Sequence, residues 1–245
     1  MMNLTILGAN SDVAMATARR FAQSKMISSL CLASRDLELL ERNANDIQVR
    51  YDIPVKAVVF NALDYTSHAR FYQQLDPKPD IVVLAFGLLG DQQNAQSSFE
   101  EAHRIIDSNF SGAVSILEVV AADFERRRQG IIIGISSVAG ERGRQSNYIY
   151  GASKAALTAY LSGLRNRLFK SQVHVLTVLP GFINTKMNRH LQLPGLLTAS
   201  PDDVANDIFK AYLKSKNLIY TLWFWRWIMA IIKSIPEPFF KKMSL

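Results

Sequence analysis

Short β-branched runs alternate with helical stretches along almost all of this 245-residue chain, and no other feature limits its fold as strongly. Residues 3–7, 29–33, 55–60, 80–85, 130–135, 173–179 and 218–222 read as strands. Residues 12–23, 36–49, 67–75, 148–169 and 201–214 read as helices, with Asp36 placed to cap the second. Residues 97–128 read as two consecutive helical stretches interrupted near Asn109. Strands joined by helical crossovers imply a parallel sheet covered on both faces. Right-handed crossovers then give an α/β, doubly wound, seven-stranded Rossmann-type fold. No Pro/Gly/Ser-rich linker and no shift in composition divides the chain before about Lys216. One domain over residues 1–222 is expected, carrying an amphipathic tail over 223–245.

Composition removes whole classes of function. With 49% hydrophobic and 20% charged residues, the chain is neither disordered nor fibrous. Its single cysteine, Cys31, excludes an intramolecular disulfide framework, and His68, His103, His174 and His190 show no metal-ligand spacing. No metal is expected. The apolar run 4–7 starts too close to the first residue for a secretory signal, so a cytoplasmic protein is expected. The net charge of +7 is concentrated at one end: from Lys210 onward seven cations face the single Glu237. Basic charge beside Trp and Phe suits an anionic membrane surface better than nucleic acid.

The first strand ends in Gly8-Ala9-Asn10-Ser11-Asp12-Val13-Ala14, and a helix follows. Such a turn brings backbone amides to a pyrophosphate at the helix N-terminus. Asp12 is unusual there, because a carboxylate repels a pyrophosphate unless it turns away or caps the helix. The second strand ends in Ser34-Arg35 in place of the acid that bonds a ribose 2′-hydroxyl. A permanently charged guanidinium suits a 2′-phosphate, so NADP(H) is expected over NAD(H).

Tyr150 and Lys154 stand at i and i+4 on one helix face. A phenol with a pKa of about 10 is a poor acid–base group at neutral pH, and an adjacent ammonium lowers that value. Ser137 ends the preceding apolar strand, at the sheet edge where open α/β folds bind ligands. It precedes Tyr150 by 13 residues.

Ser137, Tyr150-x-x-x-Lys154, Asn109 and Pro180-Gly181-Phe182-Ile183-Asn184-Thr185 together resemble the short-chain dehydrogenase/reductase family, and the resemblance runs from end to end. It implies that Tyr150 is the acid/base and that Ser137 orients the carbonyl. Lys154 would tune Tyr150 and bind the nicotinamide ribose, and Asn109 would complete a proton relay through a water. The family's TGxxxGxG turn would correspond to Gly8, Asn10, Ser11, Asp12 and Val13, with Asp12 and Ala14 replacing two glycines. Asn61 and Ala62 would meet the adenine, Asn61 replacing the usual Asp. Ala85 and Gly87 lie in an altered NNAG segment. Pro180, Gly181, Ile183 and Thr185 would border the nicotinamide.

Residues 61–64, 84–91, 136–142 and 146–151, with the Trp-rich end, are similar to a subgroup that includes decaprenylphosphoryl-2-keto-ribose reductases. That likeness implies a lipid-linked or amphiphilic ketone. Two rivals stay open: a soluble ketone such as a ketoacyl thioester or steroid, and a catalytically silent nucleotide-binding scaffold. It also implies a homodimer or homotetramer, paired through helices 110–128 and 148–169.

On the substrate side, Arg142, Arg144 and Gln145 can bond an anionic or sugar group, or form an ordinary solvated loop. Residues 187–197 correspond to a substrate lid in the family. Arg126, Arg127 and Arg128 end a helix and read as structural. All three Trp fall in 223–227, within an apolar stretch broken by Arg226 and Lys233. Leu222, Trp223, Ile228, Ile231, Ile232 and Ile235 are read as one wide apolar face. Three uses stay open for such a helix: lying in a membrane interface, packing on a partner subunit, or lining the substrate cleft.

Overall fold

The computed structural model describes residues 1–188 and 194–243. In chain order, β1 (Met2–Leu7), α1 (Asp12–Gln23), β2 (Ile27–Ser34), α2 (Leu37–Tyr51), β3 (Val55–Val59) and α3 (His68–Gln74) form the first half. Then come β4 (Ile81–Leu84), α4 (Gln92–Ser97), α5 (Phe99–Ile106), α6 (Gly112–Arg127), β5 (Ile131–Ile135) and α7 (Tyr148–Leu168). β6 (His174–Pro180), β7 (Phe182–Ile183), β8 (Thr198–Ala199), α8 (Pro201–Leu213), β9 (Leu218–Thr221), α9 (Trp225–Ser234) and α10 (Glu237–Phe240) follow.

Seven strands pair in parallel in the order β3-β2-β1-β4-β5-β6-β9, as the alternation of strands and helices requires. Side chains alternate between the two faces of each strand. Leu4 and Ile6 of β1 therefore enter a core with Phe21 of α1, Leu40 of α2 and Ile208 of α8. Leu7 enters the opposite core with Leu117 and Phe124 of α6 and Leu161 of α7. The strand order reverses between β1 and β4, which opens a crevice at their carboxyl ends.

The helix starts are locally encoded. Ser11 accepts the Ala14 amide at 3.1 Å and caps α1, while Asp36 accepts the Leu39 amide at 3.0 Å and caps α2. Ser200 and Asp203 form a reciprocal capping box at α8, with Pro201 in its first turn. The interruption expected near Asn109 is a π-helical turn, Asp107–Ser111, between α5 and α6. Arg126 and Arg127 pair with Asp123, whose Oδ2 also accepts the Tyr72 hydroxyl at 2.8 Å. The arginine run is structural, as read.

The C-terminal segment corrects the expectation of one wide apolar face. Trp225 and Met229 are buried, and with Ile228 and Ile232 they pack α9 onto Val138, Leu179 and Leu197. Trp223, Trp227 and Ile231 point the other way, at 72%, 61% and 66% exposure. The spacing 225, 228, 229, 232 against 227, 231 divides the helix into two apolar faces, and the exposed Trp223 stands in the turn before it.

Candidate active site

Gly8 leaves β1 at φ +85°, where a side chain is strained. A Cβ there would also lie 2.5 Å from the Phe86 amide nitrogen, so only glycine lets β1 and the exit of β4 close together. Beyond it, Asn10, Ser11, Asp12 and Val13 line a cavity of about 860 Å³ at the carboxyl edge of the sheet. The first-turn amides of α1 have no intrahelical acceptors, and the buried Oδ1 of Asn10 has no hydrogen-bond partner among the described residues. A turn of this shape and a dipole of this sign fit a dinucleotide pyrophosphate. Asp12 does not oppose that fit: its Oδ2 accepts the Lys186 amide at 2.7 Å, with the Lys186 ammonium 3.9 Å from Oδ1.

The adenosine side lies at the ends of β2 and β3. Ser34 closes β2, and Arg35 follows it, exposed to solvent. Asp36 does not compete for the same ribose, because its carboxylate is turned onto α2 as a cap. Asn10 Nδ2 donates to the Asp36 carbonyl at 3.1 Å, tying the two turns together. Asn61 uses its side-chain oxygen for the Leu63 amide at 3.1 Å, and the Ala62 carbonyl faces Gly112 at the start of α6. Ser34, Arg35, Asn61 and Ala62, with Gly8 and Asn109, stand outside the cavity lining, whereas Asn10, Ala85, Gly87, Ser137, Tyr150, Lys154, Pro180, Gly181, Ile183 and Thr185 belong to it.

β5 and α7 bring the catalytic candidates together. Ser137 follows β5, and its hydroxyl accepts the Ala139 amide at 3.1 Å. It also interacts with the Tyr150 phenol, offsetting part of the rise in that group's pKa that burial causes. Ser136 points elsewhere: its Oγ donates to the Lys154 carbonyl at 2.9 Å and lies 2.7 Å from the Thr158 hydroxyl, fixing α7 against β5. Lys154 is buried and donates to the Ile135 carbonyl at 3.2 Å.

Burial pushes the Tyr150 phenol up to about 12 and holds the Lys154 ammonium down to about 8. Desolvation dominates the phenol, and the lowering by Lys154 expected above does not enter the balance in this geometry, where the ammonium stands 5.8 Å from the ring centre. Tyr150 is thus a proton carrier throughout neutral pH.

Asn109 has a structural role beside the water-binding one implied above. Its Nδ2 donates to the carbonyls of Leu88 and Ile105, at 2.7 and 2.8 Å, and its Oδ1 accepts the Leu88 amide at 3.1 Å. It fastens the loop after β4 to the π turn. A Cβ on Gly87 would lie 2.7 Å from that Oδ1 and 3.2 Å from Lys154 Nζ, so the glycine permits Asn109 and Lys154 to approach.

The far wall rests on features missed in the sequence. Gly181 lies under Trp225, where a Cβ would come within 1.9 Å of the indole. The indole Nε1 donates to the Leu197 carbonyl at 3.2 Å. Arg142, read as a possible substrate ligand, is committed to the tail. It donates to the carbonyls of Ile232, Lys233 and Ile235 at 3.1, 2.9 and 2.8 Å and to Glu237 at 3.0 Å. A cation at a helix C-terminus satisfies its free carbonyls and its dipole. Arg144 does line the cavity, and Gln145 is exposed outside it. Of the stretch read as a lid, Met187 lines the cavity, while 189–193 lie outside the described residues. The spacing of Trp225 and Met229 was the available signal for the tail's inner face. Nothing in the sequence linked it to Gly181 or Arg142.

Residues 3–194 match the model of the short chain dehydrogenase family. An uncharacterized oxidoreductase of Streptomyces coelicolor is 31% identical over 252 residues, covering 98% of this chain and 95% of its own. One from Mycobacterium tuberculosis is 30% identical over 243 residues, with coverages of 98% and 96%. Among solved structures, a short-chain dehydrogenase from Sphingobium yanoikuyae in complex with NADPH superposes with a TM-score of 0.82 at 21% identity, covering 97% of each chain. The sheet order, the β1 turn and the convergence of Ser137, Tyr150 and Lys154 agree with that sequence match: the chain belongs to the short-chain dehydrogenase family and is an oxidoreductase.

Proposed function

We propose that the protein reduces an amphiphilic, lipid-linked ketone with NADPH at a membrane surface. The observation that carries the chemistry is the placing of Ser137, Tyr150 and Lys154 on one cavity whose other end is the Gly8–Val13 turn. When bound, the nicotinamide supplies a hydride to the carbonyl carbon. The Ser137 hydroxyl donates a hydrogen bond to the carbonyl oxygen and aligns it. Tyr150 holds its proton through neutral pH and donates it to that oxygen as negative charge develops there. Lys154, when charged, stabilises the phenolate left behind. This geometry favours an active reductase over a silent scaffold. The preference for NADPH rests on Ser34, Arg35 and the engagement of Asp36 with α2. A homodimer through α6 and α7 belongs to the same reading, and sedimentation returning only monomer removes it.

The outer face of α9 supports the membrane site. Trp223, Trp227 and Ile231 are turned to solvent, Arg226 lies at the Trp227 ring, and Lys241 and Lys242 of the same tail are exposed. Aromatic and cationic side chains in this arrangement suit an anionic lipid interface at the cytoplasmic face. Its inner face backs the substrate half of the cavity, so docking would bring that half toward the lipid. Two measurements test the reading. NADPH oxidation is screened against amphiphilic ketones and lipid-extract fractions, with turnover expected only for carbonyl-bearing fractions. Vesicle co-sedimentation is expected to rise with anionic lipid and fall with salt. No turnover on any ketone removes the reductase, and equal binding by the Trp227→Ala variant removes the docking face.

A further inference from the structure

We propose that Arg144 is the anion anchor of the substrate half of the cavity, so that the carbonyl compound reduced here carries a phosphate or a carboxylate. This rests on the ketone-reducing reading above and assigns the substrate's second functional group. Arg144 lines the same cavity as Ser137 and Tyr150. The other arginine of its loop is already compensated, and the loop's carboxylate is so at one oxygen, the buried Oε2 of Glu141 having no hydrogen-bond partner among the described residues. Arg142 is spent on the α9 carbonyls and Glu237, and Glu141 Oε1 accepts from Lys233 and Tyr220 at 2.7 and 2.9 Å.

Arg144 has no such partner among the described residues. Its Nη2 reaches the Met229 sulfur at 3.2 Å, and its buried Nε has no acceptor. Glu141 acts on it through space, and burial still pulls its pKa down. A thioether is a weak acceptor, and a half-buried guanidinium without a carboxylate is an unfavourable arrangement until an anion meets it. The same wall holds another free donor, the buried Nε2 of Gln92, and the free Oδ1 of Asn147.

The acids of the cavity do not answer these cations. Asp12 accepts the Lys186 amide, and Asp91 accepts the amides of Gln93 and Asn94 at 2.8 and 3.1 Å. A planar fork of donors fits a phosphate or a carboxylate two atoms at a time, which an ammonium cannot do. Beside it, Gln92 and Asn147 suit the hydroxyl groups of a polar linker between anion and carbonyl.

The test is calorimetric titration of the NADPH-saturated protein with hexyl phosphate, hexanoate and hexanol. Saturation keeps the probes out of the cofactor's phosphate sites. One or both anions are expected to bind at least about tenfold more tightly than hexanol, the size of a charge-assisted hydrogen bond. Their ranking decides between phosphate and carboxylate. Arg144→Met should lose that margin by roughly ten- to a hundredfold with NADPH affinity and melting temperature unchanged, and Arg144→Lys should keep part of it. Equal binding of the three probes by the wild-type chain overturns the anchor, whatever the variants do. So does unchanged hexyl phosphate and hexanoate binding in a folded Arg144→Met. Arg144-dependent anion binding in a chain that reduces no ketone would keep the anchor and remove the reductase. Ketone turnover indifferent to Arg144→Met and to an anionic group would do the reverse.

Discussion

On the β1 side the cavity is walled by backbone and small residues: the Gly8 turn, Ala85, Gly87 and Pro180. On the other side it is walled by long side chains whose positions are set by other side chains. Trp225 rests on Gly181, Arg142 holds the end of α9, and Met229 meets Arg144. The first wall depends on backbone conformation at the ends of β1, β4 and β6, each encoded by a short local segment. The second depends on contacts between residues some 44 to 93 positions apart. It is where a chain of common fold acquires a substrate of its own. Substitutions that leave one wall intact while altering the other separate the two roles.

The largest effect is expected where the walls meet. Tyr150→Phe removes only the transferable proton, so turnover should fall by about 10²–10⁴-fold while NADPH binding, read by fluorescence titration, is retained. Ser137→Ala should cost on the order of 10²-fold, since it loses an aligning donor and not the acid. A Phe variant with near-normal turnover would place the proton donor elsewhere.

Trp225→Ala attacks the substrate wall alone. Truncating a buried aromatic that packs on Gly181 and Phe182 should destabilise the chain by about 3–5 kcal/mol, read in thermal melts. Trp227→Ala, on the exposed face of the same helix, should change stability by no more than about 0.5 kcal/mol. Equal losses would mean that α9 does not divide into an inner and an outer face.

Lys154 supplies a pH signature. Its folded value of about 8 lies below the ordinary ammonium value of 10.5, so between those pH values the folded chain binds fewer protons than the unfolded one. Stability relative to Lys154→Met should therefore rise with pH across that window, by on the order of 3 kcal/mol. Reduction should weaken over the same rise, as Lys154 loses the charge that steadies the phenolate. A flat stability difference would place Lys154 in solvent.

Arg35→Ala tests the cofactor wall at its outer edge. It should weaken NADPH by about ten- to a hundredfold and NADH hardly at all, because only NADPH carries the 2′-phosphate. Parallel losses for both cofactors, measured by titration, would reject Arg35 as the discriminator.

The contrast between the walls also explains what the sequence made legible. β1, α1 and the cap of α2 follow from alternation and from Ser11 and Asp36, all local signals. Ser137 and Tyr150 were readable because a strand end and the next helix fix both. The raising of the Tyr150 phenol by burial was not readable, since desolvation depends on everything packed around it. Arg142 carried no mark distinguishing a substrate ligand from a cap on a helix 90 residues away. The short strands β7 and β8 escaped because two residues are too few to show a period.

The central claim is that Tyr150 protonates a ketone as it takes a hydride in this cavity. Its most direct test is NADPH deuterated at the transferred position, incubated with an amphiphilic ketone taken up by the wild-type protein, with mass spectrometry of the product. The expected result is one deuterium on the carbinol carbon with wild-type protein and none above background with Tyr150→Phe. Product without deuterium, or equal labelling by the Phe variant, would contradict it.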